Sequence, residues 1–156
     1  MEDPSFDVEV YVYDLSHGLA PVLSPQILGI RLDAIYHTST VINGKEYYID
    51  QGIKVNTPPG STKYGRPIEV IKMGKTFVDE NILQDYINEL MERTDLKFTA
   101  AKYDLFDNNC NHFTDLLTDF LVGKNLDDRI LKLPEQVLNT PGGQMLKQML
   151  GGNQLY

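Results

Sequence analysis

Residues 35–52 read IYHTSTVINGKEYYIDQG and carry the clearest structural signal in the chain. β-Branched and aromatic side chains, which suit a pleated and half-buried surface, flank the dipeptide Asn43-Gly44 on both sides. Asn-Gly tolerates the two positive φ angles of a type I′ turn, so the stretch predicts a β-hairpin. If Asn43 and Gly44 are the two turn residues, Ile42 faces Lys45 and, in the same register, His37 faces Asp50.

Working outward from the hairpin, FDVEVYVYD alternates Val8, Val10 and Val12 with Glu9, Tyr11 and Tyr13, the period-two pattern of a strand with one buried face. Between the two, LSPQILGIRL predicts a short helix capped by Ser24, with Pro25 at its first position and Gly29 weakening or ending it. Beyond the hairpin, NTPPGSTKYGRP (residues 56–67) is rich in Pro, Gly and Ser and predicts a long loop, a candidate binding or lid segment. IEVIKM supplies a further short strand.

The pattern then becomes helical. In VDENILQDYINELMER, residues Ile82, Leu83, Tyr86, Ile87 and Leu90 recur at helical spacing after an acidic first turn. LKF (96–98) reads as a brief strand or connector. Phe113, Leu116, Leu117, Phe120 and Leu121 mark a second helix, starting at about Asn108 to Asn109 and stopped by Gly123-Lys124. LPEQVL and TPGGQMLKQML are proline-led starts of short terminal helices, and GGNQLY (151–156) reads as a frayed tail.

A chain of 156 residues, 42% hydrophobic, buries one real core and not two, so residues 1–150 read as a single domain. One cysteine makes no internal disulfide, and no basic start precedes a long apolar run; the expected setting is cytoplasmic or nuclear, without membrane insertion. A net charge of -8 with no basic, aromatic-interleaved window would repel a nucleic-acid backbone, which argues against nucleic acid as a partner.

That single cysteine, Cys110, lies in LFDNNCNHF at the start of the second helix. Unpaired N–H groups and the positive end of the helix dipole favour its thiolate and would also hold an oxyanion. Asp107 and Asp115 oppose the negative sulfur if they point toward it. The alternative reading is a small buried hydrophobe, as free cysteines usually are. Asn108 or Asn109 is read first as a helix cap and second as an oxyanion donor.

A nucleophilic thiol needs a base, and His17, His37 and His112 are the supply. His17 falls in the turn DLSHG. His112 follows Cys110 by two residues and so points about 200° around the helix. His37, on a strand, would project from a rigid element; its alternative reading is a hydrogen-bonded histidine at a strand end. Asp50, facing it across the hairpin, is a candidate third member that orients the imidazole or raises its pKa. One Cys and three scattered His make no zinc site, and no G-x-S-x-G elbow supports a serine triad; no metal or cofactor is expected.

Four blocks, YVYDLSHGLA, IYHTSTVI, YDLFDNNCNHF and LPEQVLNTPGGQ, in this order resemble the PPPDE peptidases, also called the desumoylating isopeptidase (DeSI) family, from about Asp7 to about Leu150. The resemblance implies an α+β fold, papain-like in circularly permuted order, with a small antiparallel sheet packed with helices. It implies a Cys-His dyad that hydrolyses isopeptide bonds to ubiquitin-like modifiers, with His37 of YHTS as base and Cys110 of NNCN as nucleophile. Asn109, Asn111 and Asp14 of YDLS also match, in supporting roles. Asp50 goes beyond the family's dyad, and His112 has no family expectation. Conjugates of SUMO or of ubiquitin are the implied partners, and a homodimer is compatible with the family. The same dyad suits two alternatives: a protein S-acyl thioesterase, or, with catalysis set aside, an adaptor for modified proteins.

Overall fold

A computed structural model describes residues 4–50, 52–92 and 110–150, the side chains of the last segment from Asn111 to Met145. Among these residues five antiparallel strands form one sheet: β1 (Phe6–Asp14), β2 (Tyr36–Ile42), β3 (Lys45–Ile49), β4 (Ile53–Asn56) and β5 (Glu69–Thr76). Their spatial order is β4-β3-β2-β1-β5. The hairpin forms in the expected register, Ile42 facing Lys45 and Thr40 facing Tyr47, around Asn43 (φ 54) and Gly44 (φ 73). β4 was not foreseen; as an edge strand of four residues, half exposed, it carries no alternating pattern.

β2 is the central strand and all seven of its residues are buried, so each face has its own cover. One face presents Val8, Val10, Val12, Tyr36, Ile42, Tyr47 and Ile49 to the helices and holds the hydrophobic core. The other presents Tyr13, His37, Ser39, Glu46 and Tyr48, as strand alternation requires. The loop between β4 and β5 covers that polar face.

The helices are α1 (Ala20–Leu28), α2 (Glu80–Glu92), α3 (Cys110–Val122), α4 (Asp128–Leu131), α5 (Leu133–Leu138) and α6 (Pro141–Leu150). The expected start of α1 is corrected: Ser24 is no cap but a buried interior residue whose hydroxyl accepts the Leu32 N–H. Pro21 takes the first-turn place, where a missing N–H removes no helical bond, and Pro25 is tolerated inside the helix. Gly29, at φ 78, ends it as expected.

In α2, Leu83, Ile87 and Leu90 are buried while Ile82 is exposed. Tyr86 stacks on Phe120 of α3 with ring centroids 3.8 Å apart. Phe113, Leu117 and Leu121 turn α3 onto the sheet. The chain leaves α3 through a turn that the Asp115 carboxylate holds by accepting the N–H of Leu126 at 2.8 Å. α4, a single turn capped by Asp127, was too short to announce itself by periodicity. Among the described residues, no helix is long and apolar enough to cross a membrane. The expected connector LKF and the tail 151–156 lie outside the described residues.

Candidate active site

β2 delivers His37 to the polar face, where its imidazole is only 1% exposed. Among the described residues, three tyrosines surround it. Tyr64 stacks on the ring at 3.8 Å between centroids and 31° between planes; Tyr13 lies at 5.8 Å and Tyr48 edge-on at 6.2 Å. Neither ring nitrogen has a hydrogen-bond partner among the described residues. Burial pushes its pKa down to about 3, against the opposing charge of Asp50 and with that of Lys63. His37 is therefore a neutral imidazole at ordinary pH, the protonation state of a base.

Asp50 follows the end of β3, and its carboxylate is engaged by Lys63 Nζ at 2.8 Å. It makes no hydrogen bond to His37 and acts on the ring through space, in the direction that favours imidazolium.

Cys110 is the first residue of α3; its side chain, like Asn109, lies outside what is described. The adjoining Asn111 is 2% exposed and grips β2 on both sides of His37. Its Nδ2 donates to the Tyr36 carbonyl at 3.1 Å, and its Oδ1 accepts the Thr38 hydroxyl at 2.7 Å. One turn on, the Thr114 hydroxyl donates to the Thr38 carbonyl at 3.2 Å. These bonds bring the start of α3 to the His37 position of the sheet. Alternation sends the imidazole to the face opposite Thr38, so the helix start meets the backbone of that strand first.

Asp14 ends β1 and braces the turn into α1. It accepts the N–H groups of Ser16 (2.9 Å), Gly18 (2.8 Å) and Ile35 (3.1 Å) and the Ser16 hydroxyl (2.6 Å). Burial raises its pKa, but these four donors outweigh it and hold the carboxyl below its usual range. Its bond to Ile35 fixes the entry to β2 two residues before His37. His17 sits in the same turn at φ 52, and His112 is half-buried in the first turn of α3.

Tyr13, Glu46, Tyr48 and Tyr64 escaped the sequence reading. The hairpin register alone puts Glu46 on the His37 face, through its pairing with Val41. No pattern in the loop says that Tyr64 folds back over the sheet.

Residues 6–151 match the family model described as "PPPDE putative peptidase domain". Curated relatives include desumoylating isopeptidase 1 of Homo sapiens, 41% identical over 99% of this chain and 91% of that protein. The proteins of the same name from Rattus norvegicus (40%, over the same shares) and Xenopus laevis (40%, over 95% of this chain and 86% of that protein) are similar. With a family model spanning nearly all of the chain and relatives this close over their own length, the chain belongs to the PPPDE peptidase family.

Proposed function

We propose that this chain is a cysteine isopeptidase that removes SUMO, or a related ubiquitin-like modifier, from lysine side chains of target proteins. The observation that carries the reading is the buried His37, free of hydrogen-bond partners among the described residues, at the point of β2 gripped by Asn111 of the cysteine-bearing helix. The names of the relatives supply the reaction class.

In this reading residues 1–150 form one peptidase domain, papain-like in permuted order, with the histidine preceding the cysteine. The Cys110 thiol passes its proton to His37, and the sulfur attacks the carbonyl carbon of the modifier's C-terminal glycine. Backbone N–H groups of the first turn of α3, at the positive end of the helix dipole, hold the oxyanion. As the C–N bond breaks, His37 returns the proton to the departing lysine amine, leaving a thioester. Water then adds to the thioester carbonyl, releasing the modifier's carboxylate and restoring the thiol. The depressed pKa of His37 belongs to the free site; the neighbouring thiolate and Asp50 favour the imidazolium once the proton has moved.

The test is covalent capture with C-terminal electrophilic probes built on SUMO, ubiquitin and other ubiquitin-like modifiers. An adduct with the SUMO probe that disappears in Cys110→Ser and weakens in His37→Ala supports the reading. An adduct with ubiquitin alone would move the activity to that modifier. Folded protein that reacts with no probe would sink it.

A further inference from the structure

Glu46 is 0% exposed, and no step of the chemistry above uses it. Its Oε2 accepts the Tyr13 hydroxyl at 2.6 Å and the Ser39 hydroxyl at 2.5 Å, and its Oε1 accepts the Gly60 N–H at 2.8 Å. Burying a carboxylate is strongly unfavourable unless such donors replace water, so the group stays where these donors hold it.

The donors come from both sides of the site. Tyr13 faces His37 across β1 and β2, and Ser39 lies two residues along β2 on the same face. Gly60 belongs to the covering loop, which four residues later presents Tyr64 to the imidazole. Thr62 of the loop also hydrogen-bonds the Tyr13 hydroxyl, and Lys63 pairs with Asp50 in an ion pair whose Lys63 side chain is 63% accessible, of a kind that contributes little. The Glu46–Gly60 bond, made to a fully buried carboxylate, is a stronger anchor than that ion pair.

We propose that Glu46 is a positioning residue for the base: it fastens the loop to the sheet and thereby seats Tyr64 against His37. The seated ring confines the imidazole to one orientation and, with the loop, keeps water from it. This rests on His37 being the base. Among the described residues, the titratable and charged groups facing His37 are Tyr13 from β1, Tyr48 from β3, Asp50 after it, and Lys63 and Tyr64 from the loop.

The experiment follows the His37 imidazole by NMR titration in the free protein and, separately, turnover of a SUMO conjugate. Glu46→Ala and Glu46→Gln are compared in wild-type and Tyr64→Ala backgrounds, with the core substitution Leu83→Ala as a control for general destabilisation. Loosening the loop rehydrates His37 and withdraws Lys63, and both changes raise its midpoint. Glu46→Ala is expected to raise it by about one unit or more, and Glu46→Gln, which keeps one acceptor oxygen, by less. Tyr64→Ala is expected to do the same by itself, after which Glu46→Ala adds little. Leu83→Ala leaves the midpoint in place. Turnover in Glu46→Ala falls about tenfold in kcat with a smaller change in KM, short of the loss of at least about 100-fold for removing a general base. An unchanged His37 midpoint in whichever Glu46 variant folds overturns the proposal, as does a Glu46→Ala shift that persists in full without Tyr64. The titration needs no substrate, so a wild-type protein that cleaves no conjugate would refute the proposed function while leaving this result to stand or fall separately.

Discussion

His37 joins a deep burial to an ionisable ring, and that combination has a cost in acid. Its folded-state pKa, about 3, lies below the ordinary 6.5. A depressed pKa means that the unfolded chain binds the proton first, so the stability is whole above pH 6.5 and drains away as the pH falls toward 3. At pH 5 the loss is about 2 kcal/mol, from about 1.4 kcal/mol per unit. Denaturant unfolding of wild type and His37→Gln at pH 7 and pH 5 checks this: the wild type should lose about 2 kcal/mol more than the variant. Equal losses would mean that the ring is hydrated in solution. At this scale the sequence singled out His37 and Cys110 as candidates because few residue types do such chemistry and each has few copies. It hid Glu46 because a charged residue in a strand reads as solvent-facing, and only a loop distant in sequence buries it.

Between elements, the bond that matters most is the grip of α3 on β2. Asn111, with Thr114 one turn on, ties the helix start to the strand, and its loss in Asn111→Ala leaves the Thr38 hydroxyl and the Tyr36 carbonyl without it. Two such buried bonds make a destabilisation of about 2–3 kcal/mol. The sharper expectation is kinetic: a helix start displaced by about 1 Å from its partner strand loses about 100-fold in turnover. Measuring kcat/KM at a temperature where the variant is fully folded separates the two effects, and unchanged turnover would show that the grip serves stability alone. The hairpin, α2 and α3 were readable because each carries its period over many residues. β4 and α4 were not, being four residues each, and α1 was entered at the wrong proline because two prolines four positions apart offered equally good starts.

Across the whole molecule, the hairpin register assigned each side chain to a face, but only the fold shows that one face receives helices and the other a loop. Closure of the helical layer depends on a feature the sequence presents as its opposite. Gly142 and Gly143 open α6 and look like helix breakers, yet neither has a positive φ. A Cβ on Gly142 would run into the Ile27 carbonyl of α1, and one on Gly143 into the Val137 carbonyl of α5. The glycines are there for close approach, letting α6 lie against two backbones together. In a helix free of such contacts, Gly→Ala stabilises by about 0.4–1 kcal/mol through the unfolded chain. Here the sign reverses: Gly142→Ala forces α6 away from α1 and is expected to destabilise by about 1–3 kcal/mol. Chemical denaturation of Gly142→Ala decides between the two, since a rise in midpoint would mean that α6 is not seated on α1 in solution. The Glu46–Gly60 anchor lies on the opposite face of the sheet, so the His37 titration in that variant should stay where the wild type has it.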